Sequence, residues 1–247
     1  MRIIGKTDIG KSRAENQDNF RSGYLPLEGA WGIVCDGMGG AQNGRLASQL
    51  ASESIEEQFL QGLLADIEPD AVQELMERAV QLANAEVFAR SGNGEQVMGT
   101  TVVCAIIKDG SLHLCHVGDS RAYLFEQNRL TQLTRDHSMV QELVDSGALT
   151  EDEASHHPEK NVITRALGVE EKVETTYSRR PFLPGSLLLL CSDGLTNMVP
   201  EERIAEILGT VDFFDMPNEL VSDALLAGGS DNITVLILEK REGEGNG

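Results

Sequence analysis

Five short carboxylate-bearing motifs are spread along this chain of 247 residues, and most sit where an apolar run stops. They are Arg13-Ala14-Glu15-Asn16-Gln17-Asp18, Asp36-Gly37-Met38-Gly39-Gly40, Gly118-Asp119-Ser120-Arg121, Ser192-Asp193-Gly194 and Asp231-Asn232. The apolar runs are 31–35, 112–117, 187–191 and, following its motif, 233–238. Aspartates at the ends of several strands can converge at one edge of a sheet. Like charges at close range repel, so converging carboxylates need a cation to hold them together. The pattern predicts a site for hard divalent metals with oxygen ligands.

The segments between the motifs set the fold class. Residues 3–9, 19–24 and 31–35 read as strands, with a polar connection at 13–18 and a turn at Asp36-Gly37. Leu46, Ala47, Leu50, Ala51, Ile55 and Phe59 recur at helical spacing. So do Val72, Leu75, Met76, Ala79, Ala83 and Val87, between a start at Pro69 and a stop at Gly92. Such stripes cover one face of a sheet. Residues 100–107, 112–117 and 121–125 read as an antiparallel meander, turning at Lys108-Asp109-Gly110-Ser111 and at Gly118-Asp119. Ser138 to Gln141 and Thr150 to Glu153 both match a capping box, giving two short helices between His137 and His157, split by Gly147. That insertion is either a flap beside a site or an inert surface hairpin. Strand 186–191, helices over 200–208 and 218–227, and strand 233–239 complete the set, and the tail 241–247 reads as disordered. Strand groups separated by helix groups argue for an α+β fold, antiparallel sheet with helices outside, rather than a doubly wound parallel one.

Composition excludes several functions. Forty acidic against twenty basic residues give a net charge of −20. That surface repels nucleic acid and anionic lipid. The first residues carry no long apolar stretch of signal type, and no run approaches the ~20 apolar residues of a spanning helix. Cys35, Cys104, Cys115 and Cys191 lie in or beside apolar runs with no paired spacing, and read as buried thiols in a reducing cytoplasm. With no C-x-x-C pair and no histidine pair among the carboxylates, zinc is not expected.

A single Asp-Gly is ordinary turn chemistry; the joint occurrence carries the argument. Gly37 after Asp36 lets a backbone carbonyl approach a cation with no Cβ in the way. Two cations ~3.5–4 Å apart that share a carboxylate can activate a water for in-line attack on a phosphoryl group. No serine or cysteine nucleophile is then required, and no G-x-S-x-G elbow is present. Arg13, five residues before Asp18, has the forked geometry that grips two phosphate oxygens.

Together these residues closely resemble the metal-dependent protein phosphatases of the 2C-like family, in their compact bacterial form. The resemblance runs from Thr7-Asp8-Ile9-Gly10 to Asp231-Asn232-Ile233-Thr234-Val235. It includes Gly99-Thr100-Thr101, Asp136-His137-Ser138, Arg165-Ala166-Leu167-Gly168 and Cys191-Ser192-Asp193-Gly194-Leu195 besides the motifs above. It implies a four-layer αββα sandwich, two central antiparallel β-sheets flanked by helices, formed as one domain over 1–240 with a helical flap at about 137–165. It implies two Mn²⁺ or Mg²⁺ ions per site. Asp36 would bridge both and the Gly37 carbonyl would bind one, supported by Asp18. Asp193 and Asp231 would hold the other. Asp119 is similar to the aspartate that, with Asp193, makes a third, weaker ion site in bacterial members. Arg13 would bind substrate phosphate. Met38 stands where animal members carry a histidine proposed as general acid, and methionine has no proton to give. Gln17 stands where some members have an acidic residue, and is not expected to bind metal directly. Of the histidines, His113 and His116 read as packed strand residues, and His137 lies nearer the site.

The activity implied is hydrolysis of phosphoserine and phosphothreonine in proteins by a metal-activated water. The partners implied are phosphorylated proteins, a Ser/Thr kinase among them, in the cytoplasm; nothing demands more than a monomer. A metal-binding module that docks phosphoproteins with little turnover is the alternative. A two-metal nuclease is a third reading, disfavoured by the acidic surface.

Overall fold

The structure is a computed structural model that describes residues 1–26, 29–40, 42–63, 67–92 and 98–241. The first strands are β1 (Arg2–Asp8), β2 (Asp18–Leu25) and β3 (Gly29–Gly39), followed by helices α1 (Asn43–Gly62) and α2 (Pro69–Arg90). Next come β4 (Met98–Thr100), β5 (Val102–Lys108), β6 (Ser111–Val117), β7 (Arg121–Glu126) and β8 (Arg129–Gln132). Two short helices, α3 (Met139–Asp145) and α4 (Glu151–Ser155), interrupt the strands. The chain ends with β9 (Thr176–Pro181), β10 (Leu187–Cys191), α5 (Asp193–Thr196), α6 (Glu201–Thr210), α7 (Met216–Leu226) and β11 (Ile233–Glu239).

The strands form two antiparallel sheets. One runs β1-β11-β10-β7-β8; the other runs β2-β3-β5-β6-β9, with β4 paired to the end of β3. Alternate side chains explain the layering, because successive residues of a strand point to opposite faces. Val34, Val103, Ala105 and Leu114 meet Ala122, Leu124, Leu188, Leu190, Leu236 and Leu238 between the sheets. Their neighbours Ile33, Cys35, Cys104 and Ile106 face outward onto Ala47, Ile55, Phe59, Met76 and Val80 of α1 and α2. On the opposite side Leu189, Val235 and Ile237 pack on Ile204, Ile207, Leu220 and Val221 of α6 and α7. The expected four-layer sandwich is therefore observed. Strands covered on both faces are continuously apolar, which is why β5 and β10 are buried throughout.

Two expectations are corrected. Asp36-Gly37 is not a turn: β3 runs through it to Gly39, because Gly37 pairs with Thr100 of β4. Residues 100–125 are not one meander. β5 and β6 are hairpin partners, but β7 pairs with β10 in the opposite sheet. The Gly118-Asp119 segment is thus a crossover between sheets. Sequence reasoning also missed β8, β9 and α5. β8 follows a tight turn in which Gln127 and Asn128 both have positive φ, the hairpin geometry that asparagine tolerates. β9 is a polar edge strand without an apolar signature.

The two short helices of 137–165 form as expected. Thr150 makes a full reciprocal capping box with Glu153, whereas Ser138 only accepts from the Gln141 amide. The base of the insertion is closed by a bridge between Ser138 and Ile163. The tail expected to be disordered, 241–247, lies, apart from Arg241, outside the described residues. All four cysteines are buried and free. Among the described residues no helix is long and apolar enough to cross a membrane.

Candidate metal centre

The strand pairing of β2 with β3 sets Asp18 directly opposite Asp36. The Asp36 backbone is fixed by two threonines. Its N–H donates to Thr101 Oγ1 at 3.0 Å, and its carbonyl accepts from the Thr101 amide and the Thr100 hydroxyl, both at 2.9 Å. Thr101 Oγ1 lies 2.7 Å from Ser120 Oγ, which ties the Asp119 crossover to the same point. Gly37 is required by crowding: a Cβ there would come within 2.0 Å of the Gly44 carbonyl in the first turn of α1.

The remaining aspartates come from the other sheet and the crossover. Asp193 opens α5 immediately after β10, and Asn197 donates to its Oδ2 at 2.9 Å. Asp231 precedes β11; its Oδ1 accepts from the Asn232 amide at 2.8 Å and its Oδ2 from Arg13 Nη2 at 2.7 Å. Asn232 also fastens the loop that carries Arg13. Its Nδ2 donates to the Ile9 and Glu15 carbonyls, and its Oδ1 accepts from the Gln17 amide.

Arg13, Asp36, Gly37, Asp119, Asp193 and Asp231 all line one cavity of about 230 Å³, with Gln17, Met38, Gly39, Thr101, Asn161 and Ile163. Asp18 stands behind this wall, buried, with its Oδ2 accepting from Ser192 Oγ at 2.7 Å. Ser192, Asn197 and the clamp made by Asn232 were not assigned these roles from the sequence. Their only signal was adjacency to the aspartates. A larger groove of about 1000 Å³ lies between the short helices and residues 196–202, but it contains none of the five aspartates. Chemistry rather than size locates the site.

Electrostatics sharpens the picture. Burial, with like charge from Asp193 and Asp231, pushes Asp18 up to about 7 against hydrogen bonds from Thr234 and Ser192. Burial, then Asp193 and Asp136, pushes Asp119 up to about 7. Asp36 and Asp193 are raised as well, by burial first and neighbouring carboxylates next. Two buried oxygens, Asp18 Oδ1 and Asp193 Oδ1, have no hydrogen-bond partner among the described residues. Buried, unpartnered, mutually repelling carboxylate oxygens are costly unless a cation joins them. The candidate metal donors are carboxylate and carbonyl oxygens, and among the described residues the cavity wall holds neither imidazole nor thiolate. These features fit hard divalent ions. As the side chains stand, no three acidic, histidine or cysteine groups among the described residues close around a single point; Asp231 is drawn to Arg13 instead.

His113 and His116 are hydrogen-bonded strand residues, Nδ1 of the first to Tyr177 Oη at 2.7 Å and Nε2 of the second to the Arg135 carbonyl at 2.9 Å.

Comparison with known proteins agrees with this architecture. A family model described as protein phosphatase 2C matches residues 5–224. The serine/threonine phosphatase stp of Listeria monocytogenes serovar 1/2a is 39% identical over 242 residues, covering 95% of this chain and 94% of that protein. The solved S. agalactiae serine/threonine phosphatase superposes with a TM-score of 0.89 at 33% identity, covering 98% of this chain and 99% of that one. The catalytic domain of the phosphatase PstP, solved with two manganese ions, gives a TM-score of 0.85 at 33% identity over 98% of each chain. The chain belongs to the protein phosphatase 2C family.

Proposed function

We propose that this protein hydrolyses phosphoserine and phosphothreonine monoesters in proteins, using Mn²⁺ or Mg²⁺. The observation that carries the reading is the gathering of Asp36, Asp119, Asp193, Asp231 and Arg13 around one cavity, with Asp18 behind it. Asp36, the Gly37 carbonyl, Asp18, Asp193 and Asp231 would hold two ions, and Asp119 with Asp193 a third, weaker one. When bound, such ions neutralise phosphate charge and supply a water acidic enough to attack near neutral pH.

The chain's own groups do the rest. Asp36, Asp193 and Asp231 would hold those ions in place and so fix the direction of attack on the phosphate. Arg13, whose side chain is about half exposed, keeps one nitrogen on Asp231 and offers its other N–H groups to phosphate oxygens. That local positive charge matters on a surface of net −20, which otherwise repels a phosphorylated substrate. Met38 lines the cavity but has no proton for the leaving oxygen. Residues 1–240 act as one phosphatase domain, and the flap at 137–165 closes one side of the site through Asn161 and Ile163. The reading includes a monomer in the cytoplasm that opposes a Ser/Thr kinase.

The test is phosphate release from a phosphothreonine peptide with and without Mn²⁺, in the wild type and in Asp36→Ala and Asp193→Ala. Release is expected only in the metal-loaded wild type. Release that survives chelation or either substitution defeats the mechanism. Tight peptide binding without release over hours supports the docking-module alternative.

A further inference from the structure

We propose that His137 is a positioning residue: its backbone and its imidazole, with the ring proton on Nε2, together lock the Asp119 crossover to the flap and to β9. Four hydrogen bonds meet at this residue. Its backbone N–H donates to the Gly118 carbonyl at 3.0 Å, and its carbonyl accepts from the Thr164 amide at 2.8 Å. Its Nδ1 accepts from the Gly118 amide at 3.1 Å, and its Nε2 lies 2.9 Å from Thr176 Oγ1.

The tautomer follows from donor and acceptor chemistry. A backbone N–H can only donate, so Nδ1 must present its lone pair, and the ring proton sits on Nε2, directed to Thr176. The ring stacks on His116 at 4.7 Å and 12°. His116 is oriented in the same way, since Nε2 faces a carbonyl that can only accept. Burial, then His116 and Arg165, pushes His137 down to about 4, so the ring remains neutral near pH 7.

Both backbone polar groups of Gly118 are thus bonded to His137. On the other side of Asp119, Ser120 is bonded to Thr101, which also holds Asp36. Asp119 is therefore pinned through the residue before it and the residue after it. The flap leaves the core at His137 and returns at Ile163 and Thr164, and Ile163 lines the cavity with Asp119. One residue, through its ring and its backbone, fixes the relation between a cavity aspartate and the cavity's covering segment. The kinetic consequence rests on the phosphatase reading; the structural role does not.

Two isosteres separate the role from bulk packing. His137→Asn places its amide oxygen where Nδ1 stands and can still accept from Gly118. His137→Gln reaches the Nε2 position and leaves the Gly118 amide bare. Both remove the ring and its stack. In the wild type at pH 7, long-range ¹⁵N–¹H spectra are expected to show the Nε2–H tautomer of His137. Exchange of the Gly118 amide is expected to rise about tenfold in His137→Gln and to stay near the wild-type rate in His137→Asn. The Mn²⁺ concentration for half-maximal phosphatase activity is expected to rise about tenfold in His137→Gln, with kcat falling more than KM, and to be restored in His137→Asn. An Nδ1–H or doubly protonated ring in the wild type overturns the proposal, as does equal Gly118 exchange in the two variants. If the wild type shows no Mn²⁺-dependent hydrolysis, the phosphatase reading fails, while the spectra and the exchange rates still decide the role of His137.

Discussion

The two walls of the cavity are built on different principles. Asp18 and Asp36 face each other inside a hydrogen-bonded strand ladder, so neither can shift without deforming a sheet. Asp119, Asp193 and Asp231 stand where the chain leaves or approaches a strand, each steadied by a few separable hydrogen bonds. The strand-borne wall fixes where charge must sit, at the expense of burying like charges. The loop-borne wall can adjust to what binds, and it is the wall that the flap and Arg13 touch.

Substitutions in the rigid wall are expected to have the largest effect. Asp36→Asn should lower turnover by at least ~10²–10³-fold, the scale of one lost electrostatic contact at a phosphoryl-transfer site. The same change should raise the melting temperature in EDTA, because a desolvated like charge is gone. A drop in melting temperature with turnover intact would break the comparison. In the loop wall, Arg13→Ala removes charge-assisted contacts worth about 1.5–3 kcal/mol, so kcat/KM on a phosphopeptide should fall about 10–100-fold. Asp119→Ala should lower turnover less than Asp36→Asn does, with two tight Mn²⁺ sites still present by calorimetric titration; loss of the tight sites would move Asp119 to the rigid side.

A pH series probes the burial of charge directly. The folded values of Asp18 and Asp119, about 7, exceed the ordinary value near 4. Between about pH 4 and 7 the folded chain therefore binds more protons than the unfolded one, and stability falls as pH rises through that window. In EDTA, melting should be higher at pH 5 than at pH 7.5, and Asp18→Asn should flatten the slope. Saturating Mn²⁺ should reverse the trend, because bound cations require ionised carboxylates. The smallest effect concerns the link between the walls. Ser192 Oγ donates to Asp18 in one sheet and accepts from the Thr234 amide in the other. Ser192→Ala strands that buried amide, at about 1–3 kcal/mol, and should lower the melting temperature by a few degrees with little change in metal dependence.

Most of the layering was legible because strands packed on both faces leave unbroken apolar runs, as at Leu187–Cys191. The aspartates were legible because those runs end on them. Sheet membership was not. The crossover at Gly118 looks locally like a hairpin turn, and only the distant pairing of β7 with β10 decides otherwise. Edge strand β9 was hidden because its exposed residues are polar. In the site, the bridging roles of Asn232 and Ser192 were not legible because their partners lie roughly two hundred residues away in sequence, at Ile9, Glu15 and Asp18. Side chains that bridge distant segments leave no local pattern.

The position of β11 has a consequence for biosynthesis. It comes last among the described strands yet lies inside its sheet, between β1 and β10. Until it emerges from the ribosome, β1 has no neighbour in that sheet and the Arg13 loop has no Asn232 to anchor it. Domains fold as units once their chain is available. That sheet, and the edge of the cavity where Asp231 meets Arg13, is therefore completed only when β11 is in place.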